Sequence, residues 1–345
     1  MGAKILLNKK ILFICLETFN YEKEINEKLI SLGASVDYFD ERPSNSIFTK
    51  SIIRVKKSLY KKKIHTYYLQ ILNGIKHNKY DFFFLIKGEV IPIFFLRKLK
   101  KLSPKCEFIY YTWDSFENNL NAISILPFFD KKMSFDNKDA FKYGLEFRPL
   151  FFIDKYRELS KSNSTNFKYD LLFIGTAHSD RYRLGKIITK WCNEYNFKIF
   201  TYYYMQSKIV YFIKLLFQKS FKSYNYSKLN FKSLSTKQVI SFYKKSKIII
   251  DINHPNQRGL TMRTFETLGA GKKLITTNSQ IKKYSFYNDQ NIFILDRENI
   301  LMSRDFLKSP FKKIDDDLVF EMSISGWIKS IFIENKDNYW INKYK

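Results

Sequence analysis

The sequence predicts an α/β protein with two doubly wound domains, each built on a parallel sheet that helices cover on both faces. Three observations predict this fold class. Apolar runs recur as continuous stretches and not as alternating apolar and polar residues, which is typical of strands buried on both faces. Segments with helical periodicity separate these runs. The pattern breaks once, between residues 160 and 166, and then starts again, and a length of 345 residues suits two domains.

The first half of the chain alternates strands and helices. Its apolar runs are rich in Ile, Phe and Tyr, which favour strands. The predicted strands are Ile11–Cys15, Ser35–Phe39, Asp81–Ile86, Glu107–Thr112, Lys132–Phe135 and Leu145–Arg148. The predicted helices are Tyr21–Leu32, which Gly33 ends, two basic segments, Ile47–Lys63 and Ile64–His77, and one that begins near Pro92. We expect residues 1–150 to form the first domain.

The second half begins after an aperiodic stretch, "KYRELSKSNSTNFK", which indicates an interdomain linker within residues 151–168. The alternation then returns over residues 169–310. The predicted strands are Tyr169–Ile174, Phe197–Thr201, Lys247–Ile252, Lys273–Thr276 and Ile292–Leu295. The predicted helices are Arg181–Glu194, Met205–Ser220, Thr236–Lys245 and a short one that ends in Gly269-Ala270-Gly271. Within residues 311–345, Leu318–Phe332 is an amphipathic helical pattern, and packing back on the first domain is one arrangement open to it.

Composition narrows the class of protein. The chain has 60 Lys and Arg against 33 Asp and Glu, a formal net charge of +27, which is compatible with nucleic acid, an anionic membrane surface or phosphorylated substrates. A general bias towards Lys, Asn, Ile, Tyr and Phe is an alternative source of this charge. The three cysteines form no CxxC or Cys/His pattern, and no apolar run reaches the ~18–20 residues of a membrane span. We therefore expect a cytoplasmic protein without a signal peptide, disulfides or a zinc site.

The loop after the first strand of the second domain reads "GTAHSDRYR". Ligands of doubly wound sheets bind beyond the carboxyl ends of the strands, so such loops are the first places to search. Gly175 allows a tight turn, and Asp180 is a candidate N-cap of the next helix. His178, Arg181 and Arg183 bring donors or positive charge to that helix start, where main-chain N–H groups favour a phosphate. The alternative is an ordinary strand-to-helix turn with solvated arginines.

A second loop follows Asp251 and leads into a short helix between two apolar strands. On this helix Arg263 and Glu266 are three residues apart, so they lie on neighbouring parts of its surface. The carboxylate can accept both hydroxyls of a ribose, and the guanidinium can meet a diphosphate. The alternative is a solvated salt bridge worth only ~0.2–0.5 kcal/mol, which the apolar strands on either side disfavour. The candidate donor-binding residues here are Gln257, Arg258, Gly259, Leu260, Thr261, Arg263 and Glu266.

The segment "GLTMRTFETLGAGKKLITTN" resembles the donor-binding segment of GT-B glycosyltransferases of the "glycosyl transferases group 1" kind. "YDLLFIGTAHSDRYR" is similar to the first strand and loop of their C-terminal domain. The resemblance covers residues 169–300 and is architectural over residues 1–150. It implies two Rossmann-like domains facing a cleft, and a nucleotide-sugar donor whose ribose Glu266 binds. No metal or other cofactor is expected. Many retaining members carry a second Glu eight residues earlier, where this chain has Arg258, so the anomeric outcome stays open.

The resemblance assigns the N-terminal half to the acceptor. An inverting transferase needs a general base that takes a proton from the acceptor hydroxyl. Three strand-end loops carry candidate catalytic carboxylates, at Glu17, Glu89 and Asp114. Asp114 ranks first, because it lies beside Trp113, whose ring suits a sugar and whose bulk would help to raise the pKa of the carboxyl by desolvation. The alternative is that Asp114 caps the following helix.

The resemblance also implies a place of action, since surface polysaccharides such as capsule and lipopolysaccharide are assembled on lipid carriers. The implied acceptor is an undecaprenyl-linked glycan at the inner face of the cell membrane. Two basic-aromatic stretches, "FTKSIIRVKKSLYKKK" and "KIVYFIKLLFQKSFKSY", have apolar residues at helical spacing with lysines on the other face. Such helices can lie on an anionic membrane surface. Alternatively, they face the core and their lysines are solvated.

Other functions compete with this interpretation. A nucleic-acid-binding protein would explain the charge and the 58 Tyr and Phe residues. However, no helix-turn-helix, RRM or OB pattern is present, and the aromatic residues fall mostly within apolar runs, so we expect no nucleic-acid partner. A noncatalytic nucleotide-sugar binder would share the donor site. An NAD enzyme on a similar fold is disfavoured, because the first loop, "CLETFNYE", has no GxGxxG.

Overall fold

The computed structural model describes residues 4–45, 60–161, 166–333, 339–342 and 344. It contains two six-stranded sheets whose strands all pair in parallel, one sheet in each of two compact units. Unit 1 comprises Met1–Pro149 and Trp327–Trp340, and unit 2 comprises Leu150–Gly326 and Ile341–Lys345. The predicted fold class, two doubly wound α/β domains, is confirmed.

Unit 1 has the strand order β2-β1-β3-β4-β5-β6, so the winding reverses between β1 and β3. Its strands are β1 Lys10–Cys15, β2 Ser35–Asp40, β3 Phe82–Ile86, β4 Glu107–Thr112, β5 Lys131–Ser134 and β6 Glu146–Phe147. Its helices, within the described residues up to 149, are α1 Tyr21–Ser31, α2 Lys61–Ile75, α3 Ile93–Leu102, α4 Leu120–Ile125 and α5 Asn137–Tyr143. All five residues of β3 are buried, as expected of a strand covered on both faces.

Unit 2 has the strand order β12-β11-β10-β7-β8-β9, which reverses between β7 and β10. Its strands are β7 Tyr169–Thr176, β8 Ile199–Tyr204, β9 Leu229–Asn230, β10 Ser246–Asp251, β11 Lys273–Thr276 and β12 Ile292–Ile294. Its described helices are α6 Asp154–Ser160, α7 Arg181–Glu194, α8 Lys208–Phe217, α9 Thr236–Lys244, α10 Met262–Gly269, α11 Arg304–Lys308 and α12 Asp316–Glu321. The chain passes between the units at three points, first after Pro149 and then within two further helices, α13 Ile324–Phe332 and α14 Tyr339–Asn342.

The single helix predicted over Leu318–Phe332 is wrong, because the structure has two helices, α12 and α13, with a break between them. Main-chain pairing causes the break. The N–H of Phe152 donates to the carbonyl of Met322, and the N–H of Ile324 donates to the carbonyl of Phe152. These groups are therefore used in a bridge to a distant strand-like segment and not in a continuous helix.

Aromatic packing holds the part of α13 that belongs to unit 1, which begins at Trp327. The buried ring of Trp327 lies against Phe84 and makes an edge contact with Tyr111. At the end of the helix, the buried ammonium of Lys131 donates to the carbonyls of Ser330 and Ile331. A cation at this position satisfies main-chain acceptors that have no partner within the helix.

Three further segments differ from the sequence prediction. The stretch expected to be an aperiodic linker contains helix α6, whose Tyr156 packs its ring against Tyr243 of α9 within unit 2. The helix predicted from Met205 begins three residues later, because the N–H of Met205 donates to Asn230 beside β8, and Ser207 caps α8. Strand β9 was not predicted. Of the predicted helix Ile47–Lys63, residues 47–59 lie outside the described residues.

Among the described residues, no helix has both the length and the hydropathy needed to cross a bilayer.

Gly269 provides a test of the packing in unit 2. A Cβ at this position would lie 2.5 Å from ring carbons of the buried Phe152, whereas a Cβ at Gly74 of α2 would meet no atom within 4 Å. We expect Gly269→Ala to lower the free energy of unfolding by about 1–3 kcal/mol through overpacking. Gly74→Ala should be neutral or stabilising by up to about 1 kcal/mol, because alanine favours the helix. Urea denaturation measures both, and equal effects of the two substitutions would contradict the described packing.

Candidate functional site

Backbone strain concentrates in the loops at the carboxyl ends of the strands. Among the described residues, six non-glycine residues have a positive φ, and four of them follow β1, β3 or β7. Those four, with φ between 46° and 82°, are Phe19, Asn20, Lys87 and Ser179. Such conformations cost about 1–3 kcal/mol each and persist where surrounding contacts enforce them, which happens most often at functional sites. The loops after β3 and β7 are among those that the sequence analysis singled out.

In unit 2, Asp251 fixes the start of the predicted donor helix. It ends β10, and its buried carboxylate accepts hydrogen bonds from the hydroxyls of Thr261, at 2.6 Å, and Thr264, at 3.1 Å. Thr261 is the N-cap residue of α10 by position, although its side chain caps no main-chain N–H. The carboxylate of Asp251 therefore replaces a conventional cap in setting the direction in which α10 leaves the sheet.

Arg297 joins the ends of several strands of unit 2, and sequence reasoning missed it. Its guanidinium donates to both carboxylate oxygens of Asp180, at 2.7 and 2.8 Å. It also donates to the side-chain oxygen of Asn253, at 2.7 Å, and to the hydroxyl of Thr277, at 2.9 Å. Asp180 is the N-cap residue of α7 by position, as predicted, but its side chain caps no main-chain N–H, because its carboxylate pairs with Arg297. No local pattern could reveal a partner 117 residues away.

The predicted residue Arg181 connects the two candidate loops directly. Its Nε donates to the carbonyl of Ile252, at 2.7 Å, and its Nη1 donates to the carbonyl of Thr176, at 3.0 Å. Burial lowers the pKa of Arg181 to about 10, so the group stays charged at neutral pH. Gly175, predicted as a loop residue, is the penultimate residue of β7. The structure thus brings the carboxyl end of β7 and the loop after β10 to one place.

His178 is a neutral group in this arrangement. Burial, together with the neighbouring charge of Arg181 and the proximity of His254, lowers the pKa of His178 to about 3. One ring nitrogen lies 2.9 Å from the hydroxyl of Ser179, and the ring lies 5.5 Å from that of His254. His178 can therefore donate or accept a hydrogen bond at neutral pH, but it does not add positive charge for a phosphate.

Arg263 and Glu266 lie next to each other with Tyr243 between α9 and α10. The Nη1 of Arg263 lies 3.9 Å from the carboxylate of Glu266 and donates to the hydroxyl of Tyr243, which lies 3.4 Å from the same carboxylate. Only 5% of the Glu266 side chain is exposed. Although burial opposes it, the nearby Tyr243 and Glu266 raise the pKa of Arg263 above its ordinary value. The alternative of a solvated surface salt bridge is therefore wrong.

Side-chain amides hold the loop that precedes α10. The side-chain amide of Asn278 donates to the main-chain carbonyl of Arg258, at 3.0 Å. The side-chain amide of Asn253 donates to the main-chain carbonyl of Gln257, at 2.9 Å. Gln257 in turn donates to the carbonyl of Gly259. Leu260 is buried and anchors the end of the loop, whereas Arg258 is exposed. These hydrogen bonds and the buried Leu260 hold the loop in place, and the side chain of Arg258 is exposed.

In unit 1, two of the three predicted carboxylates come together around one lysine. The ammonium of Lys87 lies 3.1 Å from the carboxylate of Asp114 and 3.9 Å from that of Glu89, which also pairs with Arg42. Asp114 does not cap the following turn, because Ser115 is the capping residue there. Among the contacts of the described residues, none places the carboxylate of the exposed Glu17 in this cluster.

Glu41 supports this cluster and was not found from the sequence. Its buried carboxylate accepts hydrogen bonds from the N–H groups of Val90, at 2.6 Å, and Ile91, at 3.2 Å. Burial, with a smaller contribution from Glu89, raises the pKa of Glu41 to about 7. Because Val90 and Ile91 directly follow Glu89, Glu41 positions the loop that presents this carboxylate. Glu41 directly follows β2, and the sequence there has no pattern that indicates this role.

Across the part of the chain that the structure describes, no group of three or more His, Cys, Asp and Glu side chains is arranged to hold a metal ion.

Comparison with known proteins identifies the fold. No family model and no curated protein matches the chain. Among solved structures, it is similar to an α-glucosyltransferase in complex with UDP and a 13-mer DNA containing a central A:G mismatch, with a TM-score of 0.52, 14% identity, and coverage of 97% of this chain and 96% of that chain. It is also similar to the UDP-GlcNAc 2-epimerase of Methanocaldococcus jannaschii, with a TM-score of 0.50, 13% identity and coverage of 93% and 98%. The fold is therefore GT-B, with two Rossmann-like domains.

The raised pKa of Glu41 predicts a pH-dependent stability. The ordinary value is 4.5 and the folded value about 7, so the folded chain holds this proton more tightly. The protonated Glu41 carboxyl therefore makes its full contribution to stability below about pH 4.5, and this contribution is lost as the pH rises to about 7. Glutamine has no such proton. We therefore expect the free energy of unfolding of Glu41→Gln, relative to that of the wild type, to be up to about 3 kcal/mol higher at pH 8 than at pH 4.5. Urea denaturation at both pH values measures this difference.

Glu17→Gln is the matched control for the Glu41 experiment, because Glu17 is exposed. Its stability relative to the wild type should change little between the two pH values. If the stability of Glu41→Gln relative to the wild type also stays the same at the two pH values, the environment described for Glu41 is contradicted.

Proposed function

We propose that this protein is a glycosyltransferase that moves a sugar from a nucleoside diphosphate sugar to a hydroxyl of a glycan acceptor. The observation that carries the proposal is the buried Glu266 carboxylate with Arg263 beside it, on a helix that starts at the carboxyl end of β10. Ligands of parallel sheets bind at this edge. The GT-B fold is in keeping with such a donor, as is the likeness of the chain to a transferase holding UDP.

Donor binding in unit 2 follows from the chemistry of these residues. Glu266 accepts the ribose hydroxyls, because a carboxylate is a strong acceptor for two adjacent O–H groups. The diphosphate lies at the N-terminus of α10, where main-chain N–H groups, Arg263 and the exposed Arg258 supply donors and positive charge. His178 contributes a hydrogen bond in its neutral form. These groups neutralise the diphosphate, so the proposal does not require a metal ion.

The acceptor is assigned to unit 1. Asp114 is the proposed general base, with Glu89 as the second candidate, since both carboxylates lie at strand ends around Lys87. The lysine can hold an acceptor hydroxyl or orient the carboxylate by charge. Glu17 is a weaker candidate because it is exposed and stands apart from the cluster.

The acceptor class is proposed from the charge of the chain and from the sequence resemblance. A net charge of +27 favours an anionic surface. The proposed acceptor is an undecaprenyl-linked glycan of capsule or lipopolysaccharide assembly at the cytoplasmic face of the cell membrane. We propose a glycan and not DNA, although the similar α-glucosyltransferase was solved with DNA, because the sequence has no nucleic-acid-binding pattern and about half of its large aromatic side chains are buried and cannot stack on bases.

A panel of nucleotide sugars tests the reaction class. Release of the nucleoside diphosphate that increases with a lipid-linked glycan supports the proposal, whereas increase with DNA would redirect it to a DNA acceptor. Conversion of the donor sugar without transfer would identify an epimerase. Tight donor binding without turnover would identify a noncatalytic binder.

Removal of the Glu266 carboxylate should weaken donor binding. We expect Glu266→Ala to raise the donor dissociation constant about 10- to 150-fold, since loss of a charge-assisted hydrogen bond removes roughly 1.5–3 kcal/mol. Calorimetric titration with the donor found in the panel measures this effect. The exposed Glu194 of α7 provides the matched control, and Glu194→Ala should bind the donor like the wild type. Unchanged affinity in Glu266→Ala would remove Glu266 from the donor site.

Asp114→Asn should separate chemistry from donor binding. The amide keeps the size of the side chain but accepts a proton poorly, so we expect kcat to fall roughly 10²- to 10⁴-fold with an unchanged donor dissociation constant. Steady-state transfer assays and titration measure the two quantities. If Glu89→Gln shows the loss of kcat and Asp114→Asn does not, Glu89 is the base.

A further inference from the structure

Helix α8 of unit 2 exposes its apolar face. Five of its large apolar side chains are between 51% and 82% exposed, namely Ile209, Phe212, Ile213, Leu216 and Phe217. Their spacing of three and four residues places them on one side of the helix. Tyr211 is the buried residue of α8. The alternative, that this stretch is a core-facing helix with its lysines in water, is therefore wrong, because the apolar stripe is exposed.

The chain segment that carries this face, which we call the α8 face, is basic. Residues 195–250 contain eleven lysines and no Asp, Glu or Arg, whereas an even spread of the 33 acidic residues would place about five there. A general compositional bias does not explain such a local absence. In the sequence, exposed lysines lie at the start of α8, at Lys208, and after it, at Lys219, Lys222 and Lys228.

This combination selects one kind of partner. An apolar face of five large side chains needs an apolar cover, and the lysines around it need negative charge. A second copy of the chain would satisfy the first need only, because two such faces would bring lysines against lysines. An anionic bilayer satisfies both, since side chains enter the boundary between headgroups and acyl chains while lysines meet the phosphates.

The α8 face is attached to the candidate donor loop. The chain leaves β8 at Tyr204, enters α8 at Lys208, and returns at β9, which pairs with the same carboxyl end of β8. The segment after α8 then contacts the loop that follows β7, because the hydroxyl of Tyr224 donates to the carbonyl of His178, at 3.1 Å. Docking of the α8 face would therefore place the donor-loop edge of unit 2 near the lipid surface.

We propose that α8 is a membrane-docking helix, which inserts its five exposed apolar side chains into an anionic bilayer and holds the surface with the adjoining lysines. The proposal goes beyond the general expectation of a basic protein near a membrane, because it assigns binding to one helix of the nucleotide-binding unit. It rests on the proposed function only for its purpose, which is to bring the donor to a lipid-linked acceptor.

Vesicle flotation with the full-length chain tests the proposal. The probes are vesicles of phosphatidylcholine alone and vesicles with about one third phosphatidylglycerol. We expect salt-sensitive binding to the anionic vesicles. The double variant Phe212→Asp/Phe217→Asp should bind them at least tenfold more weakly, and Lys219→Gln/Lys222→Gln should also bind about tenfold more weakly, with a reduced dependence on salt. Phe141→Asp is the matched control, because Phe141 of unit 1 is 91% exposed, and its binding should change less than twofold.

Three outcomes would overturn the proposal. If the α8 variants float like the wild type, while neutralising the lysines at positions 56–63 abolishes binding, the docking surface lies in that other basic stretch. If light scattering shows a wild-type dimer that the α8 variants convert to a monomer, a second copy covers the face. If the wild type does not bind vesicles but still turns over the donor, the docking proposal fails and the proposed function stands. Vesicle binding without donor turnover would instead support the docking helix and contradict the proposed transferase activity. Thermal unfolding confirms that each variant is folded.

Discussion

The parallel pairing of both sheets is the constraint on which the candidate sites depend. In a parallel sheet, all strands end at the same edge, so every loop that follows a strand meets the others there. These loops leave main-chain groups without partners from the ladder, and a buried unpaired group costs about 1–3 kcal/mol. Each unit therefore needs buried polar side chains at this edge, and the same side chains fix the positions of the residues of the candidate sites.

The two units meet this need with opposite charges. In unit 1 a carboxylate, that of Glu41, accepts from the main-chain N–H groups that follow β3. In unit 2 a guanidinium, that of Arg181, donates to the carbonyl of Thr176, which ends β7, and to that of Ile252, which follows β10. Counting the side chains named above, the loops of unit 1 combine three carboxylates with two cations, whereas those of unit 2 combine four arginines with three carboxylates. The excess of carboxylates in the first set and of cations in the second agrees with the proposed acceptor hydroxyl in unit 1 and the proposed diphosphate in unit 2.

Local pattern was sufficient for many of the regular elements but not for the contacts that tie them together. Glu107–Thr112, Lys273–Thr276 and the helix Arg181–Glu194 have the same bounds in the sequence prediction and in the structure, because their apolar spacing and end signals lie within the segments. The break between α12 and α13 depends on Phe152, far away in the chain. The role of Arg297 likewise depends on Asp180, so periodicity could reveal neither.

Periodicity also cannot tell what an apolar face meets, and helices α7 and α8 show the difference. In α7 the residues Leu184, Ile188 and Cys192 recur every fourth position and are buried against the sheet. The stripe of α8 has an equally regular spacing, yet it is exposed. The sign of the surrounding charge distinguishes the cases better than the stripe does, because acidic residues flank α7 at Asp180 and Glu194, whereas none occurs through α8 or up to β10. A helix that is both outward-apolar and free of acidic neighbours is suited to a lipid surface and poorly suited to water.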